Sequence, residues 1–562
     1  MSAPARVISR AFYPDPLGRI IATADYGTNG GEEFNRPSAI PTSSLTVRVS
    51  RTEFDSAGMA FRTIDPAGRK DEKTFDDAGR LTRTVENVVA YENEDDSEDD
   101  ENRRTDYEYN LDGQMTKLTA RNRGVVGNGS QWVYQETQWI YGTDLETSGI
   151  ARNDLLAQKI YPDSSGSSDT VRYAYNRLGE LVKQTDQAGT VHEYEFDKLG
   201  RLLHDRVTDL GEDIDDNVLR ISRAYNGRGQ VVSVTSYDEP YDGAVVNEVR
   251  RAYNRFGQLV REWQAHGQAV DVDSTPSAAY GYEDGSANTI RPSSLSYPSG
   301  RILSYSYGEA GAMNDTLSRV EQLTDDDAQS FAAYTYLGAS QVVKVDYPEP
   351  AVGLTYLKQD GDPPFGSGDP RDPGDQYAGL DRFGRIQDQR WLKQGSSSSS
   401  SSSSSTTALE RVKLYYNQAE NIVTRQNLVA PGGQDEVYAY DGLYQLQNFQ
   451  RGTLDTDTGQ LTTPADWQED FGLDPMGNWK RYWTYVGQNP TLMQDRYHNK
   501  ANEITEIDGS QGTVSHDPAG NMVQTPRPGD WTSTLDLTWD AGFAPCCRQG
   551  RARRCLGSRQ WP

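Results

Sequence analysis

Apolar and polar positions alternate with a period of two along most of the chain. In VRYAYNRLGELV, Val171, Tyr173 and Tyr175 alternate with Arg172, Ala174 and Asn176, which predicts a strand with one aromatic face. No long segment carries apolar residues at helical spacing. The alternating runs are short and are cut by turn residues at near-regular intervals. Gly58, Gly68 and Gly79 stand 10 and 11 residues apart, and Gly179, Gly189 and Gly200 repeat those intervals. Such spacing predicts a succession of two-stranded hairpins. One hairpin cannot bury its own apolar face, so neighbours must pair beside it. The expected fold is all-β, with repetitive antiparallel hairpins forming one long curled sheet.

The punctuation itself has a pattern, aromatic-[Asp/Asn]-x-x-Gly. It occurs with Asp55 and Gly58, Asp76 and Gly79, Asn110 and Gly113, and Asn176 and Gly179. It returns with Asp197 and Gly200, Asn226 and Gly229, and Asn254 and Gly257. Asp or Asn can hydrogen-bond the backbone two residues on, and Gly takes the left-handed conformation that closes a short bulged hairpin. In six of the seven copies an apolar residue sits two after the Gly, as Leu202 does after Gly200. Half-copies, IDPAGRK at Gly68 and TDQAGTV at Gly189, lie between the full ones. Later copies read as worn: LDRFGRI, LDPMGNW and HDPAGNM lack the leading Tyr or Phe, while Glu420, Tyr444 and Asn502 stand where Gly is expected. These seven Asp or Asn and seven Gly are the candidate structural residues. Arg201, in the best-formed copy, reads as a solvated or cross-strand charge.

FDDAGRL, YNRLGEL, TDQAGTVHEYEFDKLGRL and YNRFGQL closely resemble the YD repeats of the RHS (rearrangement hotspot) family. That family includes bacterial polymorphic toxins, WapA-like cell-wall-associated proteins, cocoon subunits of insecticidal toxin complexes, and teneurins. The resemblance covers roughly residues 10–541. It implies a sheet strip that spirals into a hollow shell, here a partial RHS-type β-shell. It also implies a container that delivers a C-terminal toxic domain, or a surface adhesion module, at an extracellular or cell-surface location. The core-associated aspartate motifs of the family are absent, so no catalytic residue carries over.

Composition sharpens the partners and the boundaries. Lys plus Arg number 56 against 83 Asp plus Glu, a net charge of −27, which disfavours nucleic acid and anionic membranes as partners. The chain has no apolar run long enough to span a bilayer as a helix, and its first residues show no apolar signal core. Residues 1–394 read as a repeat array with an acidic loop insertion at 92–101, which should stay solvated. Residues 395–407 read as a Ser-rich linker or loop, and 408–541 as degenerate repeats. Residues 358–376, rich in Pro, Gly and Asp, read as a long loop. At 542–562 the composition turns basic and holds Cys546, Cys547 and Cys555, the chain's three cysteines. This break in mid-repeat is read as a frameshift or truncation.

Candidate chemistry is sparse. No nucleophile elbow, phosphate loop or H-E-x-x-H occurs, so the chain is expected to be no enzyme, with no cofactor and no metal. Of the five histidines, His192, His204, His266, His498 and His516, the first two lie in or beside repeat strands and the last takes the aromatic's place in HDPAGNM, so structural roles are expected of those three. The acidic runs at 92–101 and 209–216 lack calcium-loop spacing. WKRYWTY, Trp479 to Tyr485, is the best candidate for stacking on a sugar, against a role in cross-strand packing. The expected function is a non-enzymatic scaffold, part of a shell that encapsulates and delivers a C-terminal toxin. The expected partners are that cargo or the rest of the shell. The alternative is a carbohydrate-binding adhesion module with glycan partners.

Overall fold

The computed structural model describes residues 5–90, 98–126, 129–162, 169–211, 214–283, 290–359, 362, 372–393, 407–430, 432–462, 465–508, 514–527, 530–540, 545–547 and 554–555. The Ser run at 396–405 and residues 91–97 of the acidic insertion lie outside the described residues. One sheet of 34 strands runs from Ser9–Pro14 to Ile504–Ile507. Each strand pairs antiparallel with the next strand of the sheet along the chain. This is a meander without crossovers, as a string of local hairpins dictates. Met313–Thr316 is the one helix among the described residues. None there is long and apolar enough to cross a membrane.

Each hairpin tip is bulged where the sequence places its aromatic. The register shifts between Glu195 and Phe196, so that Phe196 faces Leu202, and the same shift sets Tyr175 opposite Leu181 and Tyr225 opposite Val231. The extra residue raises the local twist, and repetition of that twist curls the strip. Because connections alternate between the two edges, the full copies of the motif lie on one edge, the tip edge. The half-copies at Gly68 and Gly189 lie on the other, the return edge.

The expected burial of the aromatic face is only partial: Tyr194, Phe196 and Leu202 stay half-exposed. A single layer has no second sheet against it. The surface is 32489 Å² for 62.6 kDa, against roughly 20,000 Å² expected of a compact chain of that mass. Full burial occurs mainly where loops fold back over the strip. Tyr13, Ala22, Ala24 and Val49 are covered by Phe34, Ile40 and Val47 of the connection before Arg48–Phe54. Leu337 and Val343 are covered by Tyr377 and Leu380, from the connection between Val352–Thr355 and Asp388–Lys393.

The final strands form a separate small sheet. Met522–Arg527 pairs with Asp530–Asp540, and Pro545–Cys547 extends it by pairing with Leu537 to Trp539. Ile214–Asp215 joins in parallel register with Trp539 and Asp540. A segment near the middle of the chain thus meets its far end.

Candidate functional site at the hairpin tips

The repeated tip is a closed set of contacts. Asp197 Oδ1 accepts the N–H groups of Leu199 at 2.8 Å and Arg201 at 3.0 Å, and Asn176 does the same for Leu178 and Glu180. Asp76, Asn110, Asn226 and Asn254 cap their tips in the same way, and Asp55 accepts from Met59. The glycines 58, 79, 113, 179, 200, 229 and 257 all have φ between 76° and 86°. At Gly200 a Cβ would also meet Glu180 Oε1 at 3.0 Å.

Two further kinds of contact link tips to the next hairpin. Arg201 is not a free charge: its Nε donates to Asp197 Oδ2 at 2.7 Å, and its guanidinium lies 4.6 Å from the Tyr225 ring centre. Arg19 on Phe54, Arg80 on Tyr109 and Arg385 on Tyr416 repeat that stack at 4.4 to 5.0 Å. The Arg201 hydrogen bond and charge hold Asp197 below the usual carboxylate range. The ring then donates backwards, Tyr225 Oη to the carbonyl of Leu202, Tyr253 to Val231 and Tyr109 to Leu81, at 2.8 to 2.9 Å. The residue two after the Gly therefore supplies a carbonyl as well as apolar surface. Such rungs need Tyr rather than Phe and contribute to its excess, 33 to 13. Trp539 ends it by donating Nε1 to Met522 O.

Along the second part of the chain the tips have a second task. The strip spirals, and tips from residue 381 onward seat on the return edge laid down earlier. Arg6, 6% exposed, closes the first turn: its guanidinium holds Asp375 in a bidentate pair and donates to the carbonyls of Tyr377, Leu380 and Asp381. Residues 372–380, of which 372–376 read by sequence as the end of a plain loop, are thus a latch. Thr28 N–H donates to Arg382 O at 2.7 Å, Arg382 donates to the carbonyls of Thr28 and Thr46, and Arg48 lies over Phe383. Asn122 donates to Asp474 Oδ2.

The worn copies lie on this seam. Glu420 pairs with Arg48 at 2.5 Å, Tyr444 Oη donates to Asp65 at 2.5 Å, and Asn502 accepts from Gln135 at 2.8 Å. All three keep the left-handed backbone, with φ of 74°, 65° and 65°. Burial and the Asp65 carboxylate push the Tyr444 hydroxyl far above its usual range. Asp99 and Asp100, in the described end of the acidic insertion, take part too, a correction to their expected solvation: Asp100 accepts Gly442 N–H and Asp99 pairs with Lys480. Partners in the hydrogen bonds across the seam lie 336 to 381 residues apart, so one turn of the spiral takes about that length.

With that geometry the chain can be set beside solved structures. A crystal structure of TcdB2-TccC3-TEV superposes with a TM-score of 0.50 at 14% identity, covering 98% of this chain and 28% of that one. The fold is an RHS-type β-strip. A Photorhabdus luminescens Tc holotoxin pore gives 0.49 at 12% identity, over 97% of this chain and 30% of that chain. TcdB2-TccC3 gives 0.43 at 13%, over 98% and 31%. The chain spans less than a third of the length of these neighbours. No family model and no curated protein matches it.

Three of the candidate histidines make cross-strand contacts. His192 Nδ1 lies 2.7 Å from Asp205, His204 2.8 Å from Ser222 and His266 2.7 Å from Asn247, all between strands. Burial lowers the affinity of His498 and His516 for a proton. No cluster of three His, Cys, Asp or Glu able to hold a metal occurs among the described residues. In WKRYWTY, Trp479 and Tyr482 form a three-ring cluster with Phe471, centroids 5.4 Å apart, and Trp479 is 42% exposed.

Proposed function

We propose that the chain is a non-enzymatic section of shell wall that encloses and delivers a C-terminal toxin, working outside the producing cell or at its surface. The observation carrying this reading is the seam. A single-layer strip that winds and locks edge to edge is suited to walling off a space. The RHS-type fold shared with the TcdB2-TccC3-TEV structure supports the shell-wall part of this reading.

The test is to fuse a protease-sensitive reporter domain after Pro562 and follow its digestion. The expected result is digestion several-fold slower than for the free reporter, with the protection lost on Arg6→Ala. Equal digestion would count against enclosure. The half-exposed Trp479 cluster favours a second reading, glycan adhesion. Binding on a glycan array that disappears with Trp479→Ala would support that reading over the wall alone.

A further inference from the structure

Among the described residues, several tips of the first turn stay exposed. On the tip edge of the first turn Leu17, Leu111, Leu178 and Leu199 are 77% to 105% exposed, and Phe256 is 56% exposed. Their counterparts on seated tips, Phe383, Leu443 and Met476, are half-buried. The comparison is closest between Asn254-Arg255-Phe256-Gly257, open, and Asp381-Arg382-Phe383-Gly384, seated. Arg382 and Phe383 show what such a tip binds: backbone carbonyls, a backbone N–H and the flank of a return-edge loop.

Charge identifies the occupant. Four consecutive open tips expose Arg177, Lys198, Arg228 and Arg255, a basic row on a chain of net charge −27. The part of the return edge left free exposes Glu239, Asp242, Asp273 and Asp327, with Tyr241, Val272 and Tyr297 among them. Both edges of a complementary pair are therefore present on one molecule. The internal seam already joins the same two edges, with Asp65, Asp99 and Asp100 on its return side. We propose that the open tip edge docks a second copy of this chain through that copy's free return edge, continuing the spiral seam from one molecule to the next. Such a head-to-tail contact does not close on itself, so it builds a stack rather than a two-fold dimer.

Sedimentation velocity on the full chain tests this. At low salt the expected species have at least twice the monomer mass, and they decline several-fold in about 0.5 M salt as the screening length shortens. The variant R177E/K198E/R228E/R255E should sediment as monomer, and so should E239K/D242K/D273K/D327K, each with an unchanged far-ultraviolet spectrum. Mixing the two should restore association, because the acidic tips of one now meet the basic return edge of the other. A wild-type chain that stays monomeric at low salt, or a mixture that fails to associate, would overturn the proposal. The salt series on the wild-type chain decides the matter even if a variant does not fold. Stacking rests on the wall reading for its geometry alone, and a monomeric chain that still shields a fused reporter would separate the two.

Discussion

The tips Asn254–Gly257 and Asp381–Gly384 share three of their four residue types or close equivalents, the same cap and the same left-handed glycine. One exposes its Phe, and the other seats it beneath Arg48. The local motif is therefore complete without a partner, and the seam is an added use of a turn that already folds. The two sets differ most at the fourth position. Open tips keep glycine, whereas three seated tips carry Glu420, Tyr444 or Asn502 in a backbone that costs a non-glycine residue about 1 kcal/mol or more. Each of those side chains reaches the neighbouring turn, so the local cost is offset across the seam.

Substitutions should therefore weigh differently at the two sets of tips. The largest expected effect is at the latch. Arg6→Ala removes the guanidinium from Asp375, which keeps the Tyr377 N–H, and from three carbonyls that each keep one other donor. Breaking a buried pair costs about 3–5 kcal/mol, and the surviving donors place this one near the lower end. Arg10→Ala, which breaks an exposed pair with Asp25, should cost under about 1 kcal/mol. Urea unfolding measures both, and hydrogen exchange at residues 372–382 should rise for the first alone. Equal costs would deny the latch.

Glycines give the next contrast. A Cβ on Gly27 would meet the seated Arg382 carbonyl at 2.2 Å, whereas Gly18, on an open tip, has nothing within 4 Å. Gly27→Ala should cost about 3 kcal/mol from clash and backbone strain together, and Gly18→Ala about 1 kcal/mol from the backbone alone. Gly200→Val falls between, at about 1–3 kcal/mol. A Gly27 variant as stable as the Gly18 variant would mean the first contact of the seam is loose in solution.

The sequence read the local unit well because everything that makes it is local. Cap, glycine and bulge lie within six residues, and a meander needs no long-range information. Three features escaped that reading. The Arg201 stack and the Tyr225 hydrogen bond join neighbouring hairpins, and the signal for them was present in the recurring Gly-Arg and in the excess of Tyr over Phe. The seam was hidden because its partners lie hundreds of residues apart. A residue such as Tyr444 looks like decay when only its own turn is considered. Asp99 and Asp100 likewise look solvated until the second turn arrives. The sparse core also followed from something composition does not state, that the sheet has only one layer.

Removing a hydroxyl from the seam should have a smaller effect. Tyr444→Phe keeps the ring beneath Arg69 and loses only the bond to Asp65, for about 1–2 kcal/mol. Tyr225→Phe, which breaks one rung of the ladder, should cost about 1 kcal/mol. Thermal unfolding can rank the pair, and hydrogen exchange near Asp65 should respond to the first and not to the second.

The smallest expected effect is at Asp441, which caps a seated tip beside Asp100. Burial, and then the Asp100 charge, raise its proton affinity above that of an ordinary Asp. A raised folded value means the native chain holds this proton more tightly than the unfolded chain does. The resulting stabilisation is complete below the ordinary carboxylate range and fades as pH climbs through the raised value, so at neutral pH the ionised group works against the seam. Asn caps open tips such as Asn176 and Asn226 equally well, so Asp441→Asn removes the charge and keeps the turn. It should stabilise the chain at pH 7 by less than about 1 kcal/mol, given the group's partial exposure, and change nothing in acid. The open-tip variant Asp197→Asn should do the opposite, because Asp197 is held ionised by Arg201 and its contribution is present above the ordinary carboxylate range. Opposite signs for these two substitutions, measured as stability against pH, would show that one turn motif meets two electrostatic environments. A shared sign would place both tips in the same solvent and leave the seam no role in the difference.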